Sequence, residues 1–362
     1  MRLGRPSGTA PFKLSVLSAG GTGVGMTAAE GLAASISLAQ TADQRGYHRF
    51  WMSEHHGMGA TSVSSPPLML ARLIAETARI RLGAGGMMLP NHAPLLIAEQ
   101  FGMLEALAPG RIDLGLGRAP GTDGATAAAL RRGADANDGF PQQVLELLGF
   151  LGDEFPPGHP YRYVHAVPGL WQARENRVSA PSTFPEVWVL GSSPYSAQLA
   201  GQLGRPYAFA LQFGDADIDT AMRLYRESFQ PSDVLAEPLT LVSVPVAISD
   251  DPAEAKRQAA TSAMAMLRMF KSEGYLLLPP DEVDAYQATM QERQILDAYT
   301  NRSFHGTAAT VADSLEALHE RTGIDEVMLV VSGHSTTLDQ RGITLIADHY
   351  ALPRLEAPLS AA

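Results

Sequence analysis

The sequence predicts an α/β fold, a single (β/α)8 TIM barrel, on three observations. Short apolar or β-branched runs alternate with longer segments of helical periodicity, the pattern of βαβ units and a parallel sheet. Eight strand candidates occur, each with a helix after it, which is the number that closes a barrel. The chain has 362 residues, long for one average domain but ordinary for a barrel, and enough to bury a large core without disulfides. An open doubly wound sheet is the alternative arrangement of the same units. No low-complexity tract, short-period repeat or linker splits the chain, so 1–362 reads as one domain with its core over 13–352.

The elements follow in order. Lys13 to Ser18 is the first strand. Thr27 and Glu30 form a capping box, Leu32, Ile36 and Ala39 give the helix its apolar stripe, and Gly46 ends it. His48 to Ser53 is the second strand and Pro67 to Thr77 its helix. Arg79 to Leu89 holds the third, and Pro94 opens a helix carrying Ile97, Phe101 and Leu104, stopped by Pro109-Gly110. Arg111 to Gly117 is the fourth, with Ile112, Leu114 and Leu116 alternating, and helices near 126–132 and 141–151 follow. Val187 to Leu190, Tyr207 to Gln212 and Leu239 to Ile248 are the fifth to seventh strands. Their helices fall near 195–203, near 217–229 and after Asp251, which caps with Pro252 at the first helical position. Thr307 caps a further helix, Gly323 ends it, Asp325 to Val331 is the eighth strand, and 338–350 is the last helix.

Two connections exceed the rhythm. Gly152 to Glu186, between the fourth and fifth strands, holds six prolines and no clean periodicity. Phe270 to Phe304, between the seventh and eighth, carries Tyr275 to Leu278 and then a polar helical stretch. Barrel active sites lie at the C-terminal strand ends, so either segment can wall such a site or be a plain surface excursion.

Composition narrows the function. Lys plus Arg is 27 and Asp plus Glu is 38, a net charge of −11 with no basic run, which argues against nucleic acid and anionic membranes as partners. No apolar run approaches a membrane span, and Met1 to Lys13 lacks a signal-peptide core, so the cytoplasm is the expected location. With no cysteine, thiolate nucleophiles and Cys-based metal sites are excluded. Neither a His-Glu-x-x-His zinc motif nor a phosphate-binding P-loop occurs, and no metal is expected.

Four stretches can carry chemistry. Glu54-His55-His56 leaves the second strand. Histidine exchanges protons near neutral pH and an adjacent carboxylate tunes it, although a polar strand exit reads the same way. Leu82 to His92 contains Gly83, Ala84, Gly85 and Gly86. Glycines inside a strand mark a bulge or the close approach of a ligand such as a flat ring, while Asn91 and His92 also fit a cap for the next helix. Leu114 to Asp123 sets Arg118 among small residues just past a strand, where it can hold a phosphate or form a surface ion pair. Gly191-Ser192-Ser193-Pro194-Tyr195-Ser196 hands a strand to a helix, whose free N–H groups and serine hydroxyls suit a phosphate monoester or a simple cap. Neither glycine-rich stretch completes a dinucleotide fingerprint: Met88 and Pro120 stand where the third glycine belongs.

Together these segments resemble the bacterial luciferase-like monooxygenase family of flavin-dependent oxidoreductases. The resemblance runs from Lys13 to the last helix and is most specific over Gly46 to His56, Met88 to Pro94 and Pro109 to Asp123. It implies a (β/α)8 barrel that uses reduced FMN, held or received as a dissociable co-substrate, with O2 on a small aldehyde- or ketone-like substrate. A deazaflavin F420 hydride-transfer enzyme and a non-catalytic flavin-binding protein are the alternatives. Under the resemblance His55 is a catalytic histidine at the reactive edge of the flavin and His56 its pocket neighbour. Glu54, Ala84, Gly85 and Gly86 lie along the ring system, where a non-proline cis peptide is common. Arg118 serves the phosphate, as does the turn of Gly191, Ser192, Ser193, Tyr195 and Ser196. A separate flavin reductase and a homodimer through the early helices are also implied. This sequence departs from the family at Ser18, where an acidic or amide residue is usual, and in the glycine-rich Ala19 to Gly25 loop. It departs again at Gly191, where some luciferases carry a carboxylate.

Overall fold

The computed structural model describes residues 8–133, 135–178, 184–213, 217–331 and 333–354. Its centre is a closed ring of eight parallel strands. These are β1 (Lys13–Ser18), β2 (Arg49–Met52), β3 (Arg81–Met88), β4 (Ile112–Gly117), β5 (Glu186–Gly191), β6 (Tyr207–Ala210), β7 (Thr240–Ile248) and β9 (Glu326–Val331). Each pairs with the next, β7 pairs with β9, and β9 returns to β1 with Lys13 opposite Glu326, so the sheet has no free edge. The expected barrel is therefore present, and the open-sheet alternative is not. A short extra strand, β8 (Phe304–Gly306), pairs outside the ring with Val246–Ile248. Three residues ending in glycine give no alternation to read, so the sequence does not announce it.

Helices cover the ring: α1 (Ala28–Gln44), α2 (Pro66–Glu76), α3 (Pro94–Leu107), α7 (Pro194–Gln202), α8 (Ile218–Ser228), α9 (Pro252–Phe270), α12 (Ala308–Thr322) and α13 (Thr336–His349). The long β4–β5 connection carries α4 (Gly124–Ala129), α5 (Phe140–Gly152) and α6 (Leu170–Glu175), and the β7–β9 connection adds α10 (Pro280–Ala285) and α11 (Met290–Arg302). Thr27 and Glu30 make the predicted capping box, Asp251 caps α9 through the Ala253 N–H, and Gly323 ends α12 at φ +63°. One boundary moves. The helix expected near 126–132 runs from Gly124 to Ala129 because the Asp123 side chain caps it.

Inward side chains alternate along each strand and stack in layers up the axis. The lowest layer, at the N-terminal strand ends, is ionic. Arg49 Nη1 donates to Asp113 Oδ2 at 2.8 Å and Arg49 Nε to Glu326 Oε1 at 2.7 Å. Arg81 Nε donates to Asp113 Oδ1 at 2.9 Å, and Ser15 Oγ donates to Glu326. Trp51 Nε1 closes the layer from above, 2.9 Å from Asp113 Oδ2. The next layer is apolar: Leu17, Trp51, Trp188, Leu241 and Met328, with the two indoles edge to face at 5.7 Å. Gly83 belongs to this layer by necessity, since a Cβ there would stand 2.5 Å from Trp51 Nε1. Above it the inward positions are small. Gly85, Gly117, Ala210 and Ser243 leave the axis open at the C-terminal end.

Candidate active site

The space left by those small residues is a cavity of about 420 Å³ at the C-terminal strand ends. That volume falls in the range of small-molecule and cofactor sites. Its floor is apolar, made of Leu17, Trp51, Leu241 and Met328. One wall is the bare backbone of Gly85 and Gly86, whose connecting peptide bond is cis. A side chain on Gly86 would meet Leu190 Cδ1 at 2.3 Å and the Gly115 carbonyl oxygen at 2.7 Å, so the flat wall depends on glycine.

The mouth is polar. Arg118 stands exposed with its guanidinium 4.7 Å over the Tyr195 ring, and no carboxylate among the described residues pairs with it. Opposite lies the start of α7. Ser193 occupies the cap position without a side-chain cap bond, and Ser192, Ser193, Tyr195 and Ser196 all line the space. Ser196 Oγ donates back to the Ser193 carbonyl at 2.9 Å. Gly191 allows that turn, because a Cβ at 191 would lie 2.1 Å from Ser196 Oγ and 2.5 Å from Ser196 Cβ. Gly191→Ala should therefore lower stability by about 1–3 kcal/mol through overpacking. Ser196→Gly in the same chain should recover most of the loss in a calorimetric melt. If Gly191→Ala melts like the parent, the contact is not tight.

The cavity brings together Gly85, Gly86, Arg118, Gly191, Ser192, Ser193, Tyr195 and Ser196 from the ends of three strands, β3, β4 and β5. Ala84, Glu54, His55 and His56 do not line it. Ala84 and Glu54 are fully buried. The Glu54 carboxylate accepts from His56 Nε2 at 2.8 Å, His92 Nε2 at 2.9 Å, Asn91 Nδ2 at 3.2 Å and the Met88 N–H at 2.9 Å. Burial pushes this carboxyl up, but the hydrogen bonds and charge of His92, with the bonds from His56 and Met88, hold it below the usual range. Asn91 and His92 thus do not cap α3. The α3 cap position is Ala93, and both side chains turn to Glu54 instead.

His55 follows on the same strand exit. Its Nδ1 lies 3.1 Å from Ser53 Oγ, and no described group engages Nε2. Burial lowers its pKa from the ordinary imidazole value, and nearby His56 adds to this. The Glu54 charge opposes the shift without cancelling it, so the ring is neutral near pH 7. At Ser18, where the family resemblance implies an acid or amide, the buried hydroxyl accepts from the Gly20 N–H at 3.2 Å. The glycine-rich loop beyond it joins the 275–278 segment, the Val24 N–H donating to the Leu277 carbonyl at 2.9 Å.

Sequence reading missed the apolar floor, Trp51 included, and the polar lining residues Ser243, Gln212 and Asn137. Trp51 sits three residues before the Glu-His-His run, and its aromatic size was the available signal. Ser243, joined to Gln212 at 2.9 Å, comes from the mostly apolar β7, and Gln212 from the turn beyond β6. Asn137 comes from the long connection after β4. A second groove of about 560 Å³ lies between α1 and the start of α13, open to solvent.

Fold and site define a (β/α)8-barrel protein with its ligand cavity where barrel enzymes carry their active sites. The chain belongs to the luciferase-like monooxygenase family, whose pattern matches residues 12–326. It is 39% identical over 307 residues to a luciferase-like monooxygenase of Escherichia coli (strain K12), covering 84% of this chain and 87% of the relative. Among solved structures, apo-MsnO8 superposes with a TM-score of 0.83 at 32% identity, over 95% of this chain and 99% of that one. The oxygenating constituent of 3,6-diketocamphane monooxygenase from Pseudomonas putida, a type II Baeyer-Villiger monooxygenase solved with FMN, shares the fold. Its TM-score is 0.68 at 20% identity, over 95% of this chain and 99% of that one.

Proposed function

We propose that this protein is an FMN-dependent monooxygenase that uses reduced FMN and O2 on a small aldehyde- or ketone-like substrate. The observation that carries the reading is the cavity itself: a flat glycine wall and an apolar floor end at a mouth with one unpaired arginine and one open helix start. A planar ring fits against Gly85 and Gly86. A phosphate fits between Arg118 and the Ser192–Ser196 turn, where helix N–H groups, hydroxyls and a guanidinium are all donors. Among the described residues Arg118 is the only Lys or Arg lining the space, which favours the short tail of FMN over the long anionic tail of F420.

Bound reduced FMN supplies the electrons that activate O2. The chain's own residues do the rest. Leu17, Trp51, Leu241 and Met328 exclude water from the inner end, and Ser243 and Gln212 offer polar contacts to a substrate oxygen there. His55, neutral and oriented by Ser53, lies outside the lining, so its Nε2 would exchange a proton with the bound groups through an intervening water. Gly85 and Gly86 present backbone to the ring, with Ala84 and Glu54 supporting that wall from behind, and His56 holds Glu54. The flavin arrives from a separate reductase in the cytoplasm. The protein works as a homodimer, a reading supported by exposed Leu68 on α2 and exposed Leu96, Met103 and Leu107 on α3. Among the described residues no helix is long and apolar enough to cross a membrane.

Fluorescence titration with FMN tests the reading. The parent protein should bind in the micromolar range, and Arg118→Ala should weaken binding by about 10- to 100-fold, the worth of a charged hydrogen bond. No binding by the parent, or equal binding by the variant, would overturn it.

A further inference from the structure

We infer that Glu54 is a positioning residue for the anion end of the cavity, acting through the 118–122 loop without touching the ligand. The loop that carries Arg118 has no regular structure of its own, yet its backbone is held at three points and the Thr122 side chain ties it at a fourth. Asn91 Nδ2 donates to the Pro120 carbonyl at 3.1 Å, and Arg132 Nη2 donates to the Arg118 carbonyl at 2.6 Å. The His56 N–H donates to the Gly121 carbonyl at 3.3 Å, and Thr122 Oγ1 donates to the His56 carbonyl at 2.6 Å. Three of the residues making these contacts converge on Glu54. Asn91 and His56 donate to its Oε1 directly, and Arg132 reaches it through Asn91 Oδ1 at 2.7 Å. Gly121 packs so closely that a Cβ there would stand 2.9 Å from the Glu54 carbonyl oxygen, and its φ of +67° favours glycine.

The physical logic is that of a fully buried carboxylate with four donors. Such a group is costly to strip of partners, so each donor is held firmly in place. Glu54 thereby links the exits of β2, β3 and β4, and it fixes the backbone from which Arg118 reaches over Tyr195. The inference rests on the flavin reading only for what Arg118 binds.

Two variants test it, Glu54→Gln, which keeps the shape, and Asn91→Ala, which cuts the link to Pro120 and Arg132 while sparing the remaining bonds of Glu54. Backbone amide exchange is measured first, on ligand-free protein. Both variants should speed exchange in 118–122 by about tenfold or more and leave β7 unchanged. FMN affinity is measured next, in a cycle with Arg118→Ala. Each variant should weaken binding about fivefold with Arg118 present and less than about twofold in the Arg118→Ala background, because the loss passes through that side chain. A merely destabilising change would lower affinity equally in both backgrounds. Unaltered exchange in 118–122, or a full affinity loss without Arg118, overturns the inference. If the parent binds no FMN, the proposed function falls and the exchange measurement alone decides the role of Glu54. If Glu54→Gln fails to fold, Asn91→Ala decides it.

Discussion

Asp113→Ala is expected to cost about 3–5 kcal/mol of unfolding free energy, the usual consequence of breaking a buried ion pair by removing one partner. Asp113 is fully buried and accepts from two arginines and an indole. Burial alone pushes its carboxyl up, but Arg49 and Arg81 beside it hold it below the ordinary range. Its removal leaves Arg49 with Glu326 and a longer contact to Glu186, and leaves Arg81 with the Gly110 and Ile112 carbonyls and a 4.0 Å contact to the Glu186 carboxylate. Trp51 Nε1 is then buried without an acceptor. Urea unfolding measures the effect, and Asp113→Asn should fall between variant and parent because the amide oxygen still accepts. A loss under about 1 kcal/mol for alanine would mean that the ionic layer is dispensable.

Removing the imidazole of His55 should reduce turnover by about 10²- to 10⁴-fold, the range for a positioned acid-base group, with FMN affinity nearly unchanged. The separation follows from geometry, since His55 lies outside the wall that would hold the flavin while Arg118 lies at its mouth. The pH dependence has a definite sign. A histidine whose folded pKa is depressed stays neutral down to that lowered value, so the acid limb of the rate profile should lie below the usual pKa of about 6.5. The same shift touches stability. Below about pH 6.5 the unfolded chain takes up a proton that the folded chain refuses, so the neutral-pH contribution of this residue declines as the solution is acidified. His55→Asn should remove both the limb and that part of the stability slope. Steady-state rates with reduced FMN, measured across pH, decide it, and an acid limb that survives in His55→Asn would assign the proton transfer elsewhere.

The two predictions fall at opposite ends of the barrel, and the sequence disclosed them unequally. Gly85, Arg118 and Ser192 were legible because each sits just where a strand pattern breaks into small or helix-starting residues. Glu54 was legible as an important residue but not in its role. Read in line, a carboxylate beside two histidines suggests chemistry, whereas in space His92 from the next strand exit joins His56 and consumes it. The ionic layer was not legible. Arg49, Asp113, Glu186 and Glu326 stand at strand starts, where charge ordinarily faces water, and only closure of the ring turns those positions inward.

Local chemistry thus determined the elements. The Thr27–Glu30 box, the Asp251 cap, the Gly323 stop and the alternation in β4 depend on neighbours a few residues away, and they form as the chain specifies. What only the tertiary structure decided is which inward side chains share a layer, since that depends on the stagger between strands far apart in the chain. Register against β2 and β4 puts Gly83 beside Trp51 and Asp113, and so separates a filled lower barrel from an open upper one. Long-range pairing places His55 outside the cavity and Ser243 within it, because no short-range interaction distinguishes one inward direction from another until the sheet has closed.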